Sequence, residues 1–100
     1  MEDQSKVVGV ICASPAVVLQ HHGLLDGYTS VTSYPAFKDA IGDKWVDASV
    51  VRNRNLVTSQ SPGTAIEFGL VLADVLFGDE VSNQVKGGLV LKSGNGFYQK

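Results

Sequence analysis

The segment that most constrains this chain is VVGVICASPA, residues 7–16, an unbroken apolar run that reaches the single cysteine and passes at once into Ser14-Pro15. Residues 7–11 are rich in β-branched side chains without polar alternation, the pattern of a strand covered on both faces in a parallel sheet. The next residues turn helical. Ser14 can cap the helix, Pro15 suits its first position because a missing N–H costs nothing there, and AVVLQHH runs on to Gly23 as a C-terminal cap. Strand, sharp turn and helix therefore meet at Cys12, the arrangement of a nucleophile elbow, in which the turn lifts a reactive atom above the sheet. A helix N-terminus there favours thiolate over thiol, and the Ala13 N–H is placed to hold an oxyanion. The bland alternative is a cysteine that packs as a small buried hydrophobe, and strand-turn-helix spacing alone does not separate the two.

Further along, Asp26-Gly27 marks a turn and YTSVTS, residues 28–33, reads as a second strand stopped by Pro35, completing a right-handed parallel strand-helix-strand unit. Residues 36–44 suggest a helical turn or loop. WVDASVV and NLVTS, separated by the polar residues 52–55, read as a hairpin. The strongest helix follows over residues 64–77 and stops at Gly78. Thr64 and Glu67 have capping-box spacing, and an alternative start has Ser61 as the cap with Pro62 at the first position. Ile66, Phe68, Leu70, Val71, Leu72, Val75, Leu76 and Phe77 do not fit on one stripe, so this helix has to be covered on more than one side, with Glu67 and Asp74 on its one solvated strip. Residues 79–85 suggest a short helix, and the glycine-rich ending from Gly87 reads as extended and partly loose.

Composition excludes several function classes. With 44% apolar and 18% charged residues in 100, the chain reads as one small globular domain. A net charge of −2, with the eight Lys and Arg scattered, gives no basic stripe for a nucleic-acid backbone. No apolar run approaches the ~18 residues of a membrane span, and the polar start MEDQSK lacks a signal-peptide pattern, so a cytoplasmic protein is expected. One cysteine makes no internal disulfide and fits a reducing compartment. No Cys, His or carboxylate cluster has metal-ligand spacing, so no metal is expected. His21 and His22 lie at the far end of the first helix and, being adjacent, point to different faces. Neither GxGxxG nor GxxxxGK occurs, and no cofactor is expected. Tyr28, Tyr34, Phe37 and Trp45 read first as core and second as pocket or interface residues.

GVICASPAVVL resembles the nucleophile segment of the ThiJ/PfpI superfamily, in the branch of the parkinsonism-associated protein deglycase. SVTSYPAFKD, NLVTSQSPGTAIEFGLVLADVLFG and VKGGLVLK follow in that family's order, so the resemblance covers nearly the whole chain. The turn Ser59-Gln-Ser-Pro-Gly-Thr64 is similar to the family's SxGPGT, with Ser61 where glycine is usual. The resemblance implies a flavodoxin-like α/β sheet of the class I glutamine amidotransferase type with helices on both faces, of which residues 1–100 are the C-terminal half of a single domain. It implies a homodimer and a cofactor-free glyoxalase or deglycase, in which Cys12 attacks reactive aldehydes such as methylglyoxal or glycated groups. Ala13 then supplies the oxyanion N–H, and Ser14, Tyr34 and Pro62 line the pocket.

Two features depart from that pattern. Tyr34-Pro35 stands where many relatives carry His-Pro, which also argues against a cysteine peptidase needing a histidine base. The family's proton-shuttling glutamate and its glycine-rich oxyanion loop belong to an N-terminal half outside these 100 residues, so this chain alone is expected to be inactive and weakly stable. An organellar location would need a targeting segment ahead of that half. The rival from another class is a non-enzymatic oxidative-stress sensor or chaperone-like protein working by oxidation of the same thiol.

Overall fold

The computed structural model describes residues 4–89. Its sheet has three strands, β1 (Val8–Ile11), β2 (Val50–Asn53) and β3 (Leu56–Ser59), in the order β1-β3-β2. β1 runs parallel to β3 with Val8 opposite Leu56 and Ile11 opposite Ser59, and β2 runs antiparallel to β3 with Asn53 opposite Leu56. Between β1 and β2 come a helical segment Pro15–Gln20, a 3-10 turn Pro35–Phe37, the one-turn helix α1 (Lys38–Ile41) and a 3-10 turn Gly42–Lys44. After β3 a 3-10 turn Pro62–Thr64 leads into α2 (Ala65–Phe77) and α3 (Asp79–Leu89). The chain is thus a mixed α/β fold with helical layers on both sheet faces, an incomplete flavodoxin-like arrangement.

The pleat sends alternate residues of β1 to opposite faces. Val8 and Val10 pack against a core of Ala16, Leu19, Leu25, Tyr28, Val31, Ile41 and Leu56, with Phe37 and Trp45 beside them. Gly9 faces α2, where a Cβ atom would come within 3.1 Å of the Phe68 ring and 3.2 Å of Leu72. The close approach of helix to strand depends on that missing side chain.

The expected hairpin is present but displaced: Arg52 and Asn53 belong to β2 rather than to the loop, which shrinks to Arg54-Asn55, and residues 45–49 lie outside the strand. Arg54 takes the left-handed conformation at φ +57°. Its guanidinium lies over the Tyr28 ring at 5.1 Å and donates to the Gly27 carbonyl at 3.0 Å. Asn55 is 6% exposed, donates to the Lys6 carbonyl at 2.9 Å and accepts from the Tyr28 hydroxyl.

Residues 28–33 do not form the expected second strand, and the parallel neighbour of β1 is β3. Their backbone bonds go to different partners. The Val31 N–H donates to the Lys44 carbonyl, the Val31 carbonyl accepts from Val46, the Thr32 N–H donates to Thr58 Oγ1, and the Tyr34 N–H donates to the Cys12 carbonyl. Val31, Thr32 and Ser33 are fully buried, so the β-branched run is core in an extended segment with one isolated bridge, Val31 to Trp45.

Helix starts also differ from expectation. Ser14 is already helical at φ −57° and makes no capping hydrogen bond, because the Ala13 carbonyl is the first acceptor, for the N–H groups of Ala16 and Val17. The segment is wide, with His21 N–H bonded to the Ala16 carbonyl and Leu24 N–H to the Leu19 carbonyl, the i→i−5 pattern of a π-type helix. Thr64 does not cap α2 with its side chain, and Glu67 is exposed in the first turn. α2 itself begins at Ala65 with Thr64 in the N-cap position, while Ser61 and Pro62 open the separate 3-10 turn before it, where the Ser61 N–H donates to Thr64 Oγ1 at 3.1 Å. α3 extends through Gly87 and Gly88 to Leu89, beyond the short helix expected, and the remainder of the ending lies outside the described residues. No residue of α2 is buried among the described residues.

Candidate functional site

Cys12 follows the last residue of β1 and takes φ +65°, a left-handed conformation that costs a residue with a Cβ on the order of 1 kcal/mol. Such a conformation persists where its surroundings over-determine it. Here the Cys12 N–H donates to the Ser59 carbonyl at 3.0 Å and the Cys12 carbonyl accepts from the Tyr34 N–H at 2.7 Å. The two bonds fix the elbow between the end of β3 and the buried segment that precedes Pro35. The side chain is half-buried, and no hydrogen bond to the thiol is made among the described residues.

The other residues singled out from the sequence fall around this turn unequally. The Ala13 N–H has no hydrogen-bond partner among the described residues, so a donor stands directly beside the thiol-bearing residue. Ser14 is half-buried with a helical backbone. Tyr34 is tied to Cys12 through its backbone and leaves its side chain 43% exposed, apart from the core that takes Tyr28, Phe37 and Trp45. Pro62 is exposed at the start of the Pro62–Thr64 turn, shortly beyond Ser59. The helix after Cys12 has six residues, too short for the dipole on which the sequence argument leaned, so the case for the elbow rests on backbone conformation.

His21 and His22 are exposed past the end of that helix, their rings edge to face at 5.0 Å. No group of three or more His, Cys, Asp and Glu is placed to hold a metal among the described residues. A cavity of about 460 Å³ lies at the opposite end of β1 and β3, lined by Gln4, Leu24, Asp26, Tyr28 and Arg54. We place the candidate site at Cys12 instead, because open α/β sheets bind ligands outside the carboxyl ends of their parallel strands, here Ile11 and Ser59.

Sequence reasoning missed the polar layer beneath the elbow. Ser59 is fully buried, its hydroxyl donates to the Ser49 carbonyl at 2.7 Å, and Thr64 Oγ1 lies 2.6 Å from the same oxygen. Trp45 Nε1 donates to Ser33 Oγ at 3.2 Å, closing the other side. The signal was present as the hydroxyl spacing Ser59, Ser61, Thr64, which reads first as turn and cap chemistry.

Among the described residues no helix is long and apolar enough to cross a membrane. Residues 1–75 match the DJ-1/PfpI family. The chain is 41% identical over 95 residues to the Parkinson disease protein 7 homolog of Danio rerio, covering 91% of this chain and 49% of that one. It is 37% identical over 82 residues to the glutathione-independent glyoxalase DJR-1.2 of Caenorhabditis elegans, covering 79% and 42%. The structure of oxidized Toxoplasma gondii DJ-1 superposes with a TM-score of 0.81 at 42% identity, covering 87% of this chain and 47% of that one. The chain spans about half the length of the curated relatives it matches. With the family match over residues 1–75 and the fold in agreement, this chain belongs to the DJ-1/PfpI family.

Proposed function

We propose that the protein containing this chain is a cofactor-free, thiol-dependent glyoxalase or deglycase acting on small reactive aldehydes such as methylglyoxal. The observation that carries this reading is Cys12 at φ +65° at the carboxyl end of β1, beside an Ala13 N–H without a partner among the described residues. The Cys12 sulfur adds to the aldehyde carbon, the carbonyl π electrons move to oxygen, and the Ala13 N–H stabilises the resulting oxyanion. The oxyanion takes up the proton given up by the thiol. In the resulting hemithioacetal the proton on the former aldehyde carbon moves to the neighbouring carbonyl carbon while the hydroxyl proton passes to that carbonyl's oxygen, giving a thioester. Water then hydrolyses the thioester to lactate and returns the thiol. The base for that proton comes from outside residues 4–89, where no side chain bonds to the thiol. Ser14, Tyr34 and Pro62 line the pocket in this reading.

We further propose that residues 1–100 are one half of a single domain, that the whole protein is a cytoplasmic homodimer, and that this chain alone is inactive. The half-length coverage of the relatives supports the first of these points and, with it, the inactivity of this chain alone. An oxidized form of the Toxoplasma gondii relative supports redox sensing as the second reading, which in this chain would fall to Cys12. Conversion of methylglyoxal to lactate by the full-length protein, lost in Cys12→Ser, is the expected result. Absence of turnover in the folded full-length protein would leave the sensor reading in its place.

A further inference from the structure

The hydroxyls beneath the elbow form a directed chain. Ser59 has one hydroxyl proton, and its contact with the Ser49 carbonyl at 2.7 Å takes it. Thr64 is then the donor in the 2.6 Å contact between the two hydroxyls, although the Ser61 carbonyl at 3.0 Å competes for the same proton. Thr64 Oγ1 in turn accepts the Ser61 N–H at 3.1 Å. The sequence Ser61 N–H, Thr64 hydroxyl, Ser59 hydroxyl, Ser49 carbonyl joins the approach to β2, the end of β3, the Pro62 turn and the entrance of α2. Removing one member leaves buried polar atoms unsatisfied at a residue that is itself fully buried.

This chain meets the elbow at Ser59, whose carbonyl accepts the Cys12 N–H at 3.0 Å. The left-handed conformation of Cys12 has two backbone supports, each with side-chain contacts behind it. Thr64 Oγ1 meets the Ser59 hydroxyl at 2.6 Å, and Ser33 Oγ, itself bonded by Trp45 Nε1, donates to the Tyr34 carbonyl at 3.1 Å; of the two residues only Ser59 is fully buried. The other comes from the exposed residue Tyr34. We propose that Thr64, acting through Ser59, is a positioning residue for the Cys12 thiol: its hydroxyl sets the carbonyl that holds the elbow in its left-handed conformation. The inference rests on the reading of Cys12 as the nucleophile, and it reverses the sequence expectation that Thr64 serves only the helix.

The test uses the full-length protein with Thr64→Val, Thr64→Ser and Ser59→Ala. Alkylation of Cys12 by iodoacetamide is followed on its own peptide by mass spectrometry, well below the unfolding transition, together with methylglyoxal turnover. Thr64→Val, nearly isosteric but without the hydroxyl, is expected to slow alkylation about tenfold and to lower kcat more than it changes KM. Thr64→Ser keeps the hydroxyl and is expected within about twofold of wild type, which a loss of packing alone would not produce. Should Thr64→Val fail to fold, Ser59→Ala decides by the same rates, since it keeps the carbonyl and removes the link. Slower alkylation in a protein whose wild type shows no turnover would support the positioning role and sink the glyoxalase reading alone. Wild-type alkylation in Thr64→Val with a lowered denaturation midpoint would overturn the positioning role and leave Thr64 as a structural residue.

Discussion

The elbow and α2 are both built from strongly apolar sequence and end in opposite environments. Around Cys12, its own N–H and carbonyl are both paired, with the fully buried Ser59 and with Tyr34, which follows the buried residues 31–33. Along α2, only one side meets the sheet, at Phe68 and Leu72 over Gly9, while Ile66 is 55% exposed, Leu76 57% and Phe77 69%. The apolar line continues on α3 through Val81, Val85 and Leu89 at four-residue spacing. One region is over-determined and holds a strained residue, and the other displays the surface expected to be covered on more than one side.

The sharpest break in that comparison comes from truncating a side chain in each region. Leu56→Ala, in the core on the strand that carries Ser59 and 1% exposed, is expected to cost about 2–5 kcal/mol in denaturant unfolding. Phe77→Ala is expected to change the stability of this chain by about 0.5 kcal/mol or less while reducing self-association in sedimentation. Equal losses at both positions would mean that α2 is as well covered as the core.

Gly9→Ala tests the close contact of β1 with α2. A Cβ at 3.1 Å from Phe68 and 3.2 Å from Leu72 forces those side chains aside, with an expected loss of about 1–3 kcal/mol. A neutral effect on the melting temperature would show that α2 yields freely, as a loosely held helix would.

A smaller effect is expected at the α2–α3 joint. The Asp74 carboxyl lies above its ordinary 3.8, first through its hydrogen bond with Asp79, then through burial and the Asp79 charge, against the opposing charge of Arg52. Its ionised form is therefore the disfavoured one in the folded state. The resulting penalty is absent below 3.8 and grows in as pH rises through the raised value. Asp74→Asn should raise the melting temperature slightly at neutral pH and leave it unchanged at pH values below that range. A loss of stability at neutral pH would show that the Arg52 attraction dominates.

Legibility in the sequence follows the range of the interactions. β1, the β2–β3 hairpin and α2 were readable because periodicity, turn residues and helix stops are local. Cys12 was readable as a turn between strand and helix for the same reason. The parallel partner of β1 was not, since β3 lies across a long crossover and nothing local marks the pairing. Residues 28–33 carry strand propensity, yet their N–H groups bond to Leu25, an Asn53 side chain, Lys44 and a Thr58 side chain, so propensity found no ladder to join. Ser14 and Thr64 had the right chemistry for caps. At Ser14 the Ala13 carbonyl had already started the helix, and at Thr64 the hydroxyl turned back to Ser59 and Ser61. The candidate site was legible as one residue, and its supporting network was not, because the Ser49 carbonyl and the Ser59 and Thr64 hydroxyls converge only in the folded chain.

The most direct test of the central claim, that the fold presents Cys12 as a nucleophile, compares alkylation of the same thiol in two states. The second-order rate with iodoacetamide at pH 7 is measured on the native full-length protein and on the protein unfolded in urea, following the Cys12 peptide in each. The account predicts faster reaction in the native state, because the left-handed turn and the neighbouring Ala13 N–H favour attack by a sulfur that is half-buried. Slower reaction in the native state, the protection expected of a packed small hydrophobe, would contradict it.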